Sequence, residues 1–172
     1  MEELIKREYI YRGRIMNLRL DTVRVKNGDV TLREIAEHHG AVAMVPLDEQ
    51  GNVTLVKQWR AATGRVMLEI PAGTLEENEA PESGAPRELR EETGYTARRI
   101  RHLLDYWPTS AFSDELLRLY VADGLTPGRE SPDHDEFIEA VAVPYKEALD
   151  LVWKGRIKDS KTVIALLAVN RL

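Results

Sequence analysis

The short segment from Arg87 to Gly94 constrains the fold of this chain more than any other feature of the sequence. It runs Arg-Glu-Leu-Arg-Glu-Glu-Thr-Gly, and at about 100° per residue a helix would place Glu88, Glu91 and Glu92 within one arc. These glutamates also fall in the last turns, where the helix dipole favours cations. Like charges three or four residues apart each cost roughly 0.2 to 0.5 kcal/mol. We therefore expect a compensating positive charge.

Two interpretations of this acidic helix remain open at the level of the segment itself. In the first, it is a solvated face on which Arg87 pairs with Glu91 one turn later and Arg90 neutralises its surroundings. In the second, the clustered carboxylates bind a divalent cation, because they supply the hard oxygen ligands that Mg²⁺ takes, with Mn²⁺ as a second candidate. The wider spacing of residues favours the second interpretation.

The segment from Gly73 to Tyr95 is GTLEENEAPESGAPRELREETGY. It matches Gly-x5-Glu-x7-Arg-Glu-U-x-Glu-Glu-x-Gly-U, where U is an apolar or bulky residue, at all nine specified positions. On this motif the chain resembles the Nudix hydrolases. The resemblance implies an α/β fold, a Nudix-type α/β/α sandwich with a mixed sheet, and a magnesium-dependent hydrolase of diphosphate bonds.

The resemblance also assigns roles to individual residues of the motif. It implies that Arg87 and Glu79 orient the helix carboxylates, and that Gly73 belongs to the binding loop because a glycine lets backbone and ligand approach closely. The implied metal ligands are one backbone carbonyl and three carboxylates: Ala72, Glu88, Glu91 and Glu92.

Apolar periodicity predicts an α/β domain that begins with a β ribbon. Asn27-Gly28 is typical of a two-residue hairpin turn between strands at residues 22–26 and 30–35. Further strands are predicted at 41–47, 53–59, 66–70, 100–107, 116–121 and 137–143, and helices at 80–93, 145–153 and 160–172. Gly94 would cap the first helix in a left-handed conformation, and Ser160 or Asp159 would begin the last. We expect one Nudix hydrolase domain over residues 1–172, with an N-terminal β ribbon in 1–38 and a catalytic core in 39–172.

Net charge and composition limit the binding partners, the cellular location and the metal ligands that we expect. The net charge of -5 argues against a nucleic-acid-binding surface, which requires clustered Lys and Arg. No apolar run approaches the length of a membrane span, and no secretory signal is recognisable, so a cytoplasmic location is expected. Without cysteine, any metal must be bound by oxygen or imidazole ligands.

Beyond the motif, the chain is most similar to the ADP-ribose pyrophosphatases. The stretches that carry this similarity are residues 33–35, 38–42, 58–60, 68–73, 112–115 and 133–136. The similarity implies that Arg33, Glu34 and Arg60 contact the substrate. Because a guanidinium can hold phosphate oxygens in two-point contact, we expect Arg60→Ala to impair binding with little effect on melting temperature. Trp59 is a candidate for stacking on adenine, although a tryptophan in a strand is more often packed in a core.

One loop departs from that family. Its members carry Ser-Pro-Gly-Phe after the motif, whereas this chain has Thr109-Ser110-Ala111-Phe112. Another nucleoside diphosphate sugar, such as a GDP-hexose, is therefore the alternative substrate. A non-catalytic Nudix module that senses a nucleotide is a second alternative, because fold does not dictate activity.

Two further predictions concern the catalytic base and the oligomeric state. The family places the base on the Nudix helix or on a later loop, where Glu115, Asp135 and Glu136 are the candidates and solvated acids are the simpler interpretation. An isolated ribbon around Asn27-Gly28 would be marginally stable in water. The family exchanges this region across a two-fold axis, which implies a homodimer in which Arg33 or Glu34 serves the neighbouring site.

Overall fold

The computed structural model describes residues 1–129 and 137–170. The chain divides into two compact units. The first contains Met1–Gly40 and Tyr106–Leu116, and the second contains Ala41–Asp105 and Leu117–Leu172.

The first unit is built on an antiparallel ribbon of three strands in the order β1-β2-β3. These strands are β1 (Glu3–Arg12), β2 (Met16–Arg24) and β3 (Val30–His38). The predicted reversal at Asn27-Gly28 is present, but the two-residue turn is wrong. Gly28 N–H donates to the Val25 carbonyl at 2.9 Å, Val25 N–H donates to the Asp29 carbonyl at 2.9 Å, and Gly28 has a φ of 94°. A three-residue loop with a left-handed glycine therefore connects the strands.

Strand β1 occupies Glu3–Arg12, where the sequence predicted a ribbon but no individual strand. All ten of its residues are exposed, so its pattern carried no signal of a buried face. Charge pairing across the ribbon holds it instead: Arg7 donates from Nε and Nη2 to the two carboxylate oxygens of Asp21 at 2.8 and 2.9 Å. These bonds lower the pKa of the Asp21 carboxyl against the opposing effect of burial.

The second unit contains a seven-stranded sheet in the order β10-β5-β4-β9-β8, with β6 paired to β5 and β7 paired to β4. Strands β4 and β9 run parallel, while β5 runs antiparallel to both β10 and β6. The predicted mixed sheet is confirmed. Its strands are β4 (Ala41–Leu47), β5 (Asn52–Arg60), β6 (Arg65–Glu69), β7 (Ala72–Thr74), β8 (Tyr95–Tyr106), β9 (Leu117–Pro127) and β10 (Ile138–Pro144).

In the described part of the chain, three helices accompany this sheet: α1 (Pro81–Thr93), α2 (Tyr145–Trp153) and α3 (Ser160–Val169). Helix α1 packs on β4, with Leu89 and Ala85 fully buried in a cluster that includes Val42 and Met44. Helix α3 contacts β4 and β9 and buries Leu166. The α/β class, with a mixed sheet, helices and an N-terminal ribbon, is thus the predicted one.

Several boundaries differ from those predicted. Strand β7 was expected to be a loop, because Pro71 and Gly73 are poor strand residues, yet its three residues pair with β4. Strand β8 begins at Tyr95 rather than at residue 100. Helix α3 ends at Val169, and Asp159 is its N-cap, accepting a hydrogen bond from Thr162 N–H at 2.9 Å. Within the described residues no helix is both long and apolar enough to span a bilayer.

Candidate active site

Helix α1 has one side buried against the sheet and one side that carries carboxylates. Pro81 begins the helix at a position where no N–H is needed. Gly94 ends it as predicted, with a φ of 71° and its N–H bonded to the Arg90 carbonyl. Since Leu89 is fully buried against the sheet, the arc that carries Glu88 and Glu91 is directed away from that core and stays partly exposed.

Arg87 is the centre of a polar cluster on this arc. Its Nη1 donates to Glu88 Oε1 at 2.7 Å and to Glu91 Oε2 at 2.8 Å. Its Nε and Nη2 donate to the two oxygens of Glu79, both at 2.8 Å. We call Arg87, Glu79, Glu88 and Glu91 the Nudix-helix cluster. One guanidinium therefore brings three carboxylates together. The Arg87–Glu91 pair, which belonged to the solvated-face interpretation of this helix, is present.

Glu79 connects this cluster to the loop before α1. Glu76 N–H donates to Glu79 Oε2 at 3.0 Å. The bonds from Arg87 lower the pKa of the Glu79 carboxyl, and they raise the pKa of the Arg87 guanidinium. Both groups remain ionised at neutral pH, so the charge on Arg87 is permanently available to the carboxylates around it.

Gly73 lies directly against the Glu88 carboxylate. A Cβ on this residue would be 2.0 Å from Glu88 Cδ and 2.1 Å from Oε1. No L side chain fits there unless the Glu88 carboxylate moves away. The motif glycine therefore allows the loop backbone to approach a carboxylate that is a predicted metal ligand, which is the close approach expected of it.

Glu92 joins the same loop from the last turn of α1. It is only 4% exposed, and its Oε2 accepts a hydrogen bond from Ala72 N–H at 2.9 Å. Gly73 follows Ala72 in the chain. Strand β7 and the helix carboxylates are thus held together by backbone contacts at two successive residues.

The residues of this site fit a divalent cation in chemistry and charge. Three carboxylates, from Glu79, Glu88 and Glu91, bond to Arg87, and a fourth, from Glu92, bonds to the Ala72 N–H. Carboxylate and carbonyl oxygens are the ligands that Mg²⁺ prefers. Across residues 1–129 and 137–170, no three acidic, His or Cys side chains are already grouped closely enough to form a complete metal site. The carboxylates instead bond to Arg87 and to backbone N–H.

Arg60, at the end of β5, is paired rather than extended into solvent. Its Nε and Nη2 donate to the Glu69 carboxylate at 3.0 and 2.8 Å. Its side chain is 39% exposed, whereas that of Glu69 is 2% exposed. The bonds to Glu69 raise the pKa of Arg60. Arg60 therefore presents only part of its guanidinium to the surface.

Trp59 is not packed in a core. It is 58% exposed, and it lines an open cavity of about 400 Å³ with Val66, Phe137 and Ile138. An exposed indole beside other apolar side chains suits the stacking role proposed from sequence, which stays a prediction.

Two protein-family models match this chain. The NUDIX domain matches residues 37–166. The chain belongs to the Nudix family. Residues 2–35 match the family described as the nucleoside diphosphate sugar hydrolase N-terminal domain.

Two curated relatives and one solved structure show how far the similarity of this Nudix protein extends. A methanol dehydrogenase activator of Bacillus methanolicus is 40% identical over 96% of the chain and 90% of its own length. An ADP-ribose pyrophosphatase of Bacillus subtilis (strain 168) is 38% identical over the same shares. The crystal structure of an ADP compounds hydrolase superposes with a TM-score of 0.86 over 99% of this chain and 92% of its own, at 22% identity, which shows the fold.

The remaining predicted site residues of the Nudix protein lie in its first unit or outside the described residues. Arg33 and Glu34 are on β3, where Arg33 donates from Nε and Nη2 to Glu2. Glu115 is half-buried, and its N–H donates to Ser113 Oγ at 3.2 Å. Asp135 and Glu136 lie outside the described residues. The structure thus unites the motif residues in the second unit, while Arg33, Glu34 and Glu115 belong to the first.

The sequence did not reveal that Arg60 pairs with Glu69, or that Glu69 pairs in turn with Lys161. Glu69 was noted only as part of a similar stretch, and Lys161, which pairs with it, was not considered. A glutamate inside the apolar run Met67 to Ile70 was the available signal, because a buried acid needs a cationic partner. Nothing in the sequence indicated that this partner is 92 residues away.

Proposed function

We propose that this Nudix protein hydrolyses the diphosphate bond of ADP-ribose to AMP and ribose 5-phosphate, using Mg²⁺. The observation that carries the proposal is the Nudix-helix cluster, in which Arg87 gathers Glu79, Glu88 and Glu91 beside the Gly73 backbone. Carboxylates in such excess over cations favour a divalent ion. The Ala72 carbonyl, Glu88, Glu91 and Glu92 would hold it.

In this proposal, the chain's own residues bind and orient the reactants. Arg87 holds the carboxylates in place, and Arg60 neutralises phosphate charge with the part of its guanidinium not bonded to Glu69. Bound Mg²⁺ would supply charge neutralisation of the diphosphate and activation of water. Glu115 and Glu136 are retained as candidate bases, and Arg33, Glu34 and Trp59 as candidate contacts to substrate.

The substrate is supported by the relative named ADP-ribose pyrophosphatase, which matches nearly the whole chain. Hydrolysis of another nucleoside diphosphate sugar, such as a GDP-hexose, is the second candidate, because Ser110 stands where similar enzymes carry proline. Thr109 to Phe112 form a turn closed by Phe112 N–H to the Thr109 carbonyl at 3.1 Å, so the loop is ordered without that proline. A nucleotide sensor is the non-catalytic alternative.

The deciding experiment is an incubation of the protein with Mg²⁺ and a panel of ADP-ribose, GDP-mannose and other nucleoside diphosphate sugars. Chromatography should detect AMP and ribose 5-phosphate from ADP-ribose, with lower kcat/KM for the rest. Preferred turnover of GDP-mannose would establish the second candidate. Binding without turnover of any diphosphate would establish the sensor.

A matched pair of variants connects the activity to the cluster. Glu91→Gln alters a carboxylate bonded to Arg87, whereas Glu82→Gln alters an exposed one on the first turn of the same helix. We expect activity to fall by about a hundredfold or more for Glu91→Gln and to stay within about twofold for Glu82→Gln. Equal effects of the two variants would remove the cluster from the mechanism.

We also propose a homodimer that associates through the ribbon of the first unit. Val30 and Leu32 are alternate residues of β3, so they share one face, and each is 57% exposed. Exposed apolar ribbons of this kind are covered in stable proteins. Leu32→Glu should shift the sedimentation of the protein towards the monomer, whereas Trp153→Glu, at a 74% exposed residue of α2, should not. A fully active parent monomer at micromolar concentration would contradict this proposal.

We also propose that the protein is cytoplasmic. Fractionation of cells that produce the protein at native levels is the measurement that checks it.

A further inference from the structure

A second ion cluster lies where β5 and β6 meet the first turn of α3. It consists of Arg60, Glu69, Asp159 and Lys161, and we call it the α3 cluster. Lys161 Nζ donates to Glu69 Oε2 and also pairs with Asp159 Oδ1 at 3.0 Å. The side chains of Glu69 and Lys161 are 2% and 11% exposed. The cluster is therefore buried, with Arg60 as its most exposed member.

The buried position of Glu69 makes it dependent on its partners. Burial raises the pKa of the Glu69 carboxyl, but the bonds from Arg60 and the charge of Lys161 outweigh burial and leave that pKa below its ordinary value. A buried carboxylate is stable only when it is paired and hydrogen-bonded. Arg60 and Lys161 together allow Glu69 to remain an anion in this interior, and Lys161 is the more buried of the two cations.

Glu69 in turn determines where the Arg60 guanidinium lies. Two parallel N–H to carboxylate bonds fix the plane of a guanidinium as well as its position. Arg60 makes such a pair through Nε and Nη2. An arginine side chain without such a partner samples many rotamers, and fixing it on binding costs conformational entropy.

The start of α3 is anchored by hydrogen bonds that do not involve Lys161. Thr162 Oγ1 accepts a hydrogen bond from Ile70 N–H at 2.9 Å, and Asp159 caps the helix through Thr162 N–H at 2.9 Å. Lys161 lies between these two anchors in the chain. Its backbone is therefore held in place even when its ammonium group is removed.

We propose that Lys161 is a positioning residue that acts through Glu69 to orient Arg60 for an anionic phosphate group of the substrate. The proposal rests on the proposed function, in which Arg60 contacts the diphosphate. Lys161 lies at the base of the α3 cluster, 11% exposed, and it affects binding without touching substrate. Its contribution should appear in KM rather than in kcat, because the Nudix-helix cluster is left intact.

The test is Lys161→Met, which keeps the length of the side chain and removes its charge. At a temperature well below its melting point, KM for ADP-ribose should rise by about fivefold or more while kcat stays within about twofold. The matched control is Lys154→Met, at an exposed lysine 3.5 Å from Asp150, which should leave both constants unchanged. A loss confined to kcat would overturn the proposal.

A double-mutant cycle separates positioning from general destabilisation. If Lys161 acts through Arg60, Lys161→Met should change KM by less than about twofold in an Arg60→Ala background. Multiplicative effects of the two substitutions would overturn the proposal.

A spectroscopic measurement decides the same point without substrate. The Nε–H signal of Arg60, assigned by its loss in Arg60→Ala, should exchange slowly with water in the parent and faster in Lys161→Met. An unchanged signal would overturn the proposal. If the parent does not hydrolyse ADP-ribose, the proposed function fails, and this signal still decides whether Lys161 positions Arg60.

Discussion

The Nudix-helix cluster and the α3 cluster are both built from carboxylates around an arginine, yet they differ in charge balance. In the first, Arg87 alone faces Glu79, Glu88 and Glu91. In the second, two cations face two anions, and Glu69, at 2% exposed, is more buried than any carboxylate of the first cluster.

This difference separates a structural ion network from one that can receive a ligand. A balanced, buried network satisfies its own charges, so removing one member leaves an uncompensated charge in the interior. An anionic, partly exposed network tolerates the loss of one carboxylate, because like charges repel and water screens the rest. We therefore expect the Nudix-helix cluster to govern activity and the α3 cluster to govern stability and binding.

The largest effect is expected for Glu92, which lies beside the Nudix-helix cluster and tests whether this region governs activity rather than stability. Glu92→Gln should lower hydrolysis by about a hundredfold or more, because a proposed metal ligand is lost. Without metal, the free energy of unfolding should stay within about 1 kcal/mol of the parent: one repulsive charge leaves the negative end of α1, while the bond from Ala72 N–H is weakened.

Thermal melting with and without Mg²⁺ completes that test. Added Mg²⁺ should raise the melting temperature of the parent more than that of Glu92→Gln, since a ligand that binds only the folded state stabilises it in proportion to its affinity. The same rise in both proteins would show that Glu92 does not bind the ion. A much lower melting temperature of the variant without metal would make Glu92 a structural residue.

The next largest effect concerns Arg60 in the α3 cluster. Arg60→Ala should lower kcat/KM by about tenfold or more, mainly through KM, because a phosphate contact is lost. The structure revises the expectation for stability, since Glu69 would lose two of its hydrogen bonds. We expect the melting temperature to fall by several degrees, for a loss on the order of 1 to 2 kcal/mol. Kinetics within about twofold of the parent would reject Arg60 as a substrate contact.

The smallest expected effect is a pH dependence at Glu79. Hydrogen bonds from Arg87 lower the pKa of Glu79 in the folded state, so its stabilisation is present above the unfolded pKa of about 4.3 and is lost as pH falls through the folded value. Glu79→Gln should therefore melt below the parent at pH 7. The difference should narrow as the pH is lowered from about 5. A gap that stays constant down to pH 3 would mean that the charge of Glu79 contributes nothing.

The sequence determined the Nudix-helix cluster because its residues are close along the chain. Glu88, Glu91 and Glu92 share an arc of α1 by helical geometry alone, and Gly94 ends the helix in the predicted left-handed conformation. Burial of apolar side chains likewise made β4 and β5 visible as strands. Local periodicity and turn chemistry are sufficient for features of this kind.

The ribbon shows where local signals are insufficient. The exposed strand β1 has no buried face, and its pairing with β2 includes the ion pair between Arg7 and Asp21. The short strand β7 exists because Gly73 and its neighbours pair with β4, despite a sequence that favours a loop. In both cases a partner strand supplied what local propensity lacked.

Only the tertiary structure determined the α3 cluster and the contacts of the binding loop. Glu69 meets Lys161 across 92 residues of sequence, and Ala72 meets Glu92 across 20. A charged residue within an apolar run indicates by itself that an oppositely charged partner is needed, because burying an unpaired charge is costly. Which partner it finds depends on the packing of α1 and α3 against the sheet, since that packing sets the distances between residues that are remote in the chain.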